Sequence, residues 1–129
     1  MVIDTSALAA IFFHEPERDA FRHAIIAAST RLISAATVLE AGIVIEGRRG
    51  DGAGREFDLF IVRAQLKIVP IDAELAELAR SAWRKYGKGR HPAGLNFGDC
   101  FSYALAKATG EPLLAKGTDF AKSDVVLHC

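Results

Sequence analysis

The sequence predicts a single three-layer α/β domain, in which helices cover both faces of a mostly parallel sheet of four or five strands. Short apolar runs alternate along the chain with longer segments of helical periodicity, as in consecutive β–α–β units. The length of 129 residues suits one domain, and we assign residues 1–129 to it. Half of the residues are hydrophobic, which excludes a disordered chain and supports a packed core.

The individual elements follow from apolar spacing and from residues that cap or break helices. A strand opens at Val2, and a helix follows over residues 6–13 with Thr5 or Ser6 as its cap. Pro16 suits the first turn of a second helix. Further strands are predicted at 31–34, 67–70, 112–115 and 125–127, helices at 35–49 and 57–65, one after the cap Asp72, and one from Phe97 that Gly110 closes, with a glycine-rich turn at 47–54 and a loop at 87–94.

The charge balance and the cysteines limit the classes of function. Sixteen Lys and Arg side chains balance sixteen Asp and Glu side chains, so any site for a polyanion must be a local patch. The apolar start of the chain contains Asp4 and no preceding Lys or Arg, unlike a signal peptide, and no apolar run is long enough for a membrane span. Cys100 and Cys129 have no metal-site or disulfide spacing, so we expect a buried thiol and a tail thiol in a cytoplasmic protein.

Four carboxylates lie in apolar surroundings or beside a predicted strand. Asp4 is the only charged side chain in the first thirteen residues and stands at the carboxyl end of the first strand. Glu40 and Asp99 are each the only charged side chain in a stretch of more than a dozen residues. Asp119 follows the fourth strand. A buried carboxylate is costly unless it is paired or binds a metal, so these acids are candidates for function.

The predicted topology brings these acids toward one edge of the sheet, where ligands bind in such folds. No Lys or Arg is adjacent in sequence to Asp4, Glu40 or Asp99, so converging carboxylates would need raised pKa values or a cation between them. Oxygen ligands suit Mg²⁺ or Mn²⁺, and two such ions support phosphodiester cleavage. Thr37 and Ser102 lie one helical turn from Glu40 and Asp99 and would orient a carboxylate or a metal-bound water.

Each of these residues also has a purely structural interpretation. Asp4 would cap the first helix, and Asp99 would occupy the favourable first turn of its own helix. Asp119 would be an ordinary turn residue, and Glu40 would lie on a solvated helix face. The hydroxyls of Thr37 and Ser102 would bond back to their helix, as the sequence equally allows.

Four blocks of this sequence together resemble the PIN-domain ribonucleases, specifically the VapC-type toxins of bacterial toxin–antitoxin pairs. The order and spacing of the blocks cover nearly the whole chain. The blocks are Val-Ile-Asp4-Thr-Ser-Ala-Leu, Thr37-Val-Leu-Glu40, Asn96-Phe-Gly-Asp99-Cys-Phe-Ser-Tyr-Ala-Leu-Ala, and Leu113-Leu-Ala-Lys-Gly-Thr-Asp119-Phe.

The resemblance implies a PIN-like α/β/α sandwich with Mg²⁺- or Mn²⁺-dependent endoribonuclease activity. Asp4 and Asp99 would be the main metal ligands, and Glu40 would be a ligand or orient metal-bound water. Many relatives carry an acid slightly earlier in the fourth block, where this chain offers only Asp119, so one ion would bind firmly and a second with substrate. The implied partners are a cognate antitoxin, RNA and a second copy in a homodimer. Operator DNA would be bound only through the antitoxin, and no membrane is implied.

A basic run is the candidate surface for RNA. The segment 78–98 contains no acid and leads into the block with Asp99. Arg48 and Arg49 are a weaker candidate. We interpret His91 as a surface residue rather than a proton donor, Trp83 and Tyr86 as core or dimer contacts rather than base-stacking residues, and the apolar segments 7–13 and 57–62 as core in preference to partner surfaces. The cations of the run are Arg80, Arg84, Lys85, Lys88 and Arg90.

Three other functions compete with this interpretation. A haloacid-dehalogenase-type phosphatase needs a second Asp two residues after the first, where this chain has Ser6. A receiver domain needs an acid pair at the first strand and a Lys after the last, whereas Lys116 follows the fourth of five predicted strands. A PIN-like module that binds antitoxin or RNA without cleavage remains the alternative.

Overall fold

The computed structural model describes residues 1–128 and has an α/β fold around four parallel strands. The predicted fold class is confirmed. The elements are β1 (Val2–Ile3), α1 (Thr5–Phe12), α2 (Arg18–Ala27), β2 (Leu32–Ser34), α3 (Ala35–Arg49), α4 (Asp51–Arg63), β3 (Lys67–Val69), α5 (Ala73–Tyr86), α6 (Phe97–Thr109), β4 (Leu113–Leu114) and a 3₁₀ turn (Phe120–Lys122).

The sheet has the strand order β3-β2-β1-β4, with β1 inside it. Val2 pairs with Leu32 on one side and with Leu113 on the other. The predicted fifth strand at 125–127 is only an isolated bridge between Leu127 and Leu113. All four strands are parallel, so their carboxyl ends share the edge where Asp4 begins the connection to α1.

Apolar side chains on the two faces of the sheet form two separate cores. Val2 and Leu113 pack with α5 and α6, whereas the next residue in each strand, Ile3 or Leu114, packs with α1 to α4. This alternation follows from the two-residue repeat of a strand. The helices therefore form a layer on each face, as the sequence predicts.

The link between α3 and α4 is shorter than the sequence predicts. In place of a turn over 47–54, only Gly50 separates the two helices, with a φ of 87° that glycine tolerates. A Cβ on Gly54 would lie 2.9 Å from the carboxyl of Glu46, so the glycine allows the helices to approach closely. The glycines of this segment therefore serve helix packing as well as chain reversal.

Three helix starts differ from prediction, one of them α4, which begins at Asp51 rather than at residue 57. Asp4, not Thr5 or Ser6, caps α1, and Pro16 lies in the turn before α2. Asp72 caps α5 through the N–H of Leu75, as expected. Gly110 ends α6 in the left-handed conformation, also as expected.

The apolar segments and the cysteines are largely where the sequence predicts them. Most of 7–11 is buried core, whereas 57–62 buries Phe57 but leaves Val62 72% exposed. Cys100 is a buried free thiol, and Cys129 lies outside the described residues. Within residues 1–128, no helix is both long and apolar enough for a membrane span.

Candidate active site

Asp4 is held in place by two serines. The carboxylate lies at the end of β1 and is only 2% exposed. Its Oδ2 accepts hydrogen bonds from the N–H and the hydroxyl of Ser6, at 3.0 and 2.7 Å. Its Oδ1 accepts from the Ser102 hydroxyl at 2.6 Å. Asp4 is therefore both the cap of α1 and a fixed carboxylate at the sheet edge, so its two interpretations are compatible.

Ser6 is a site residue that sequence reasoning missed. Its hydroxyl also accepts a hydrogen bond of 2.9 Å from the backbone N–H of Lys116, in the segment after β4. The side chain thus connects Asp4 to the fourth sequence block. A cap residue followed two positions later by Ser is a common local pattern, so only the contact with Lys116 distinguishes it.

Glu40 lies between α1 and α6 rather than on a solvated helix face. The Thr5 hydroxyl donates a hydrogen bond of 2.5 Å to its Oε1. A Cβ on Gly98 would lie 2.0 Å from its Oε2, so the carboxyl occupies space that only glycine leaves open. Thr5 and Gly98 both lie inside the four sequence blocks, but their contacts with Glu40 join positions far apart in the chain.

Asp99 occupies the first turn of α6 in a reciprocal capping arrangement with Asn96. Its Oδ2 accepts the backbone N–H of Asn96 at 2.9 Å, and the Asn96 side chain accepts the N–H of Asp99 at 2.8 Å. The pKa of Asp99 is raised to about 6, chiefly by burial and against the lowering effect of the Asn96 N–H. The charges of Asp4, Glu40 and Asp119 contribute smaller parts of this rise. The other three predicted acids are thus each within electrostatic reach of Asp99.

The hydroxyls of Thr37 and Ser102 contact each other. Thr37 and Ser102 are buried, and their hydroxyl oxygens lie 3.4 Å apart. Because Ser102 also donates to Asp4, this pair connects α3 and α6 to the carboxylate at the end of β1. Ser102 therefore orients a carboxylate as predicted, though the carboxylate is that of Asp4 rather than that of Asp99.

Asp119 is the most peripheral of the four acids. It is exposed, precedes the 3₁₀ turn and makes no side-chain cap hydrogen bond there. It is also the last and smallest of the causes that raise the pKa of Asp99. Its position fits an outer charge better than a central ligand.

The donor set fits a hard divalent cation in its chemistry. Asp4, Glu40 and Asp99 offer only carboxylate oxygens, and no ion pair in residues 1–128 involves them. The carboxylates point to hydroxyl and N–H donors, however, and no three acidic, His or Cys side chains among the described residues are gathered closely enough to enclose an ion. Loading with metal would require their side chains to turn inward.

The basic run forms an exposed surface on α5 and the loop that follows it. The guanidinium of Arg90 lies over the Trp83 ring at 4.6 Å, and Trp83 is 44% exposed. His91 packs edge-on against Tyr86, and its Nδ1 accepts the N–H of Ala93 at 3.0 Å, so this ring is engaged in the loop. Exposed cations of this surface are Arg80, Arg84, Lys85, Lys88 and Arg90.

The second basic candidate lies elsewhere. The guanidinium groups of Arg48 and Arg49 lie 4.0 and 5.5 Å from the centre of the Phe13 ring, at the end of α1. They are thus engaged with an aromatic side chain, and within residues 1–128 neither arginine forms an ion pair with any of the four acids.

Comparisons with known proteins identify the family. Residues 1–126 match the PIN domain family. Ribonuclease VapC30 of Mycobacterium tuberculosis is 54% identical over 125 residues, which are 97% of this chain and 95% of that protein. Among solved structures, VapC20 of M. tuberculosis, a toxin that cleaves the sarcin–ricin loop, has a TM-score of 0.78 at 20% identity, covering 97% of this chain and 95% of that one. VapBC2 of Rickettsia felis, bound to promoter DNA, has a TM-score of 0.75 at 13% identity, covering 98% and 96%. The four sequence blocks, the parallel sheet and these matches agree: the chain belongs to the PIN-domain family and to its VapC group.

Proposed function

We propose that this protein is a Mg²⁺- or Mn²⁺-dependent endoribonuclease that acts as the toxin of a toxin–antitoxin pair. The observation that carries the proposal is the position of Asp99, partly buried, near three other acids and without an ion pair in residues 1–128, which raises its pKa. A cluster of carboxylates that repel one another is a site prepared for positive charge. The ribonuclease VapC30, which is 54% identical, supports the same reaction class.

Asp4, Glu40 and Asp99 would hold the ion. A divalent ion supplies Lewis-acid chemistry at such a site, because it lowers the pKa of water and neutralises phosphate charge. Ser6 and Ser102 orient Asp4, and Thr5 orients Glu40. These bonds hold the Asp4 and Glu40 carboxylates at the carboxyl edge of the sheet, and from there the side chains would turn toward the ion.

The substrate is RNA in this proposal, with the basic surface of α5 binding its phosphates. Exposed cations on a protein of zero net charge bind a polyanion locally, and their contacts position the strand without reading its sequence. The antitoxin partner is proposed by analogy with the VapBC2 complex of R. felis. Homodimer formation is proposed from the family resemblance and would appear in light scattering as twice the mass of one chain.

The test is cleavage of structured and unstructured RNAs by purified, antitoxin-free protein in Mg²⁺ or Mn²⁺ and in EDTA. We expect cleavage only with metal. We also expect Asp4→Asn and Asp99→Asn to lower the cleavage rate more than about 100-fold, because mutation of residues that only orient metal ligands already lowers activity 10- to 100-fold. Asp124→Asn is the matched control, since Asp124 pairs with Lys107 away from these acids. Cleavage that persists in EDTA or in both variants would refute the mechanism.

The alternative is a module that binds RNA or antitoxin without cleavage. It is favoured by the exposed position of Asp119 and by the absence of three closely gathered ligands among the described residues. Folded, metal-saturated protein that binds RNA but cuts none of the RNAs tested would support this module instead.

A further inference from the structure

A groove between α5 and the start of α6 lies next to the candidate active site, and only its two cations have a role in the function described so far. It encloses about 590 Å³, and its wall includes Asn96, whose N–H bonds to Asp99. Trp83 and Phe97 form aromatic parts of its lining, and Arg80 and Lys88 add positive charge. One groove therefore combines exposed aromatic surface and cations within a few residues of a candidate metal ligand.

Trp83, interpreted from the sequence as a core or dimer contact, is 44% exposed and not part of the core, yet it is held in a defined orientation. A Cβ on Gly87 would lie 2.6 Å from Cδ1 of the indole, so the ring rests against the backbone at this glycine. The Arg90 guanidinium lies over the ring, and the N–H of Gly87 donates to the Trp83 carbonyl at 2.9 Å. A fixed aromatic surface loses little conformational freedom when a planar group stacks on it.

Phe97 is the second aromatic group and is the most exposed large apolar side chain among residues 1–128, at 82%. It stands two residues before Asp99, and its ring packs edge-on against Phe101 at 5.0 Å. Hydrophobic burial does not explain its place at the start of α6. An exposed aromatic side chain beside a nuclease centre is, however, well placed to contact a base of a bound strand.

The charge of the groove selects its occupant. Arg80 and Lys88 are the charged side chains of its lining, and positions 78–98, which supply most of that lining, contain no acid. Positive charge around an aromatic floor is complementary to a nucleotide, whose base stacks while its phosphate meets the cations. An acidic peptide would satisfy the charge but would not need flat aromatic surfaces.

We propose that this groove, the α5–α6 groove, is a subsite for an unpaired nucleotide of substrate RNA, with its base against Trp83 and Phe97 and neighbouring phosphates at Arg80 and Lys88. This inference rests on the proposed ribonuclease function. It adds that the substrate is single-stranded beside the cleavage site, because a base held in a duplex stack has no free face for the groove.

The single tryptophan of the chain makes the subsite directly measurable. We expect a short single-stranded RNA in EDTA to quench Trp83 fluorescence to saturation, and a blunt duplex or an abasic strand of equal charge to quench it weakly. Fluorescence anisotropy of a labelled strand should show about tenfold weaker binding for Trp83→Ala, the size of one base–aromatic stacking interaction, and near-normal binding for Trp83→Phe.

The cations are tested by the salt dependence of binding. Replacing Arg80 and Lys88 by Ala should lower the slope of log affinity against log salt by about 0.7 for each phosphate that the variant no longer binds. Arg63→Ala, at an exposed position on α4, is the matched control and should leave the slope unchanged. Circular dichroism of each variant verifies that it folds.

Three results would overturn the subsite. They are equal quenching by the abasic strand, RNA affinity that is unchanged in Trp83→Ala, and quenching by a leucine-rich acidic peptide but not by RNA, which would assign the groove to a protein partner. Because these experiments measure binding without metal, their result does not depend on the result of the cleavage test. Loss of cleavage in EDTA with intact quenching supports the subsite, and normal cleavage by Trp83→Ala with unchanged affinity removes it alone.

Discussion

Two aspartates beside α6 have opposite surroundings. Asp124 accepts a hydrogen bond from the Tyr103 hydroxyl and pairs with the Lys107 ammonium at 3.1 Å. Both partners lower the pKa of Asp124, and the hydrogen bond from Tyr103 has the largest single effect. Asp99, at the other end of the helix, is half-buried among acids, and its pKa rises to about 6.

The contrast separates an acid that the fold stabilises from one that we propose to be functional. The charge of Asp124 stabilises the folded protein, because the carboxylate interacts with a cation and a hydroxyl. The charge of Asp99 destabilises the folded protein, because burial and like charges oppose ionisation. Such an unfavourable group beside other acids supports the proposal that a cation binds there.

Apart from replacement of Asp4 or Asp99 themselves, the largest effect should come from a substitution at Gly98 that crowds the site. Gly98→Ala places a Cβ where the Glu40 carboxyl lies, so we expect that carboxyl to move and metal-dependent cleavage to fall about 10- to 100-fold. The atoms nearest to that position all belong to the Glu40 carboxyl, so the substitution acts first on this group.

A double-mutant cycle distinguishes this mechanism from a general disturbance of α6. In a Glu40→Ala background, Gly98→Ala should cost nothing further in residual cleavage or in Mn²⁺ affinity. If the loss in the double variant equals the sum of the losses in the two single variants, Gly98 acts through the helix and not through Glu40.

A smaller effect should appear in stability. A folded pKa above the unfolded value means that the contribution of Asp99 is fully present below about pH 4 and is lost as pH rises through about 6. In EDTA at pH 8, Asp99→Asn should therefore raise the free energy of unfolding by about 1–2 kcal/mol, after allowance for solvent screening. The amide oxygen still accepts the Asn96 N–H.

Urea unfolding of both proteins at pH 4 and pH 8 checks this prediction, with the difference expected to vanish at pH 4. Asp124→Asn provides the opposite sign, since a lowered pKa gives stability above the unfolded pKa that is lost as pH falls. A destabilised Asp99→Asn at pH 8 would show that the charge of Asp99 is compensated in the folded protein.

The smallest effect should come from Asp119. It is exposed and contributes least to the raised pKa of Asp99, so Asp119→Asn should change cleavage by no more than roughly threefold, the size of an ordinary surface substitution. Rates measured across a range of Mg²⁺ concentrations test this. A loss as large as that of Asp4→Asn would make Asp119 a central ligand.

Local patterns in the sequence predicted much of the fold, and contacts between distant residues account for most of the errors. The alternation of strands and helices, the Asp72 cap and the Gly110 stop are all local signals, and all are found in the structure. The turn predicted at 47–54 failed because the glycines permit α3 and α4 to pack closely, a tertiary effect.

The same distinction holds at the site. Asp4, Glu40 and Asp99 are identified as candidates because each is an isolated acid in an apolar stretch of the sequence. Their role as metal ligands stays a prediction. The contacts of Glu40 with Thr5 and Gly98 join residues more than thirty positions apart, so no local pattern contains them. Trp83 lies on the apolar side of α5 by periodicity, yet it is 44% exposed because the following loop covers it only in part.

The central claim is that acids which repel one another around Asp99 form a cation site, and Mn²⁺ binding tests it most directly. Titration of metal-free protein at pH 8, followed by the electron paramagnetic resonance signal of free Mn²⁺, measures binding without any RNA. We predict saturable binding by the unsubstituted protein and by Asp124→Asn, and its loss in Asp4→Asn and Asp99→Asn. Equal Mn²⁺ affinity in all four proteins, or no binding by the unsubstituted protein, would contradict this claim.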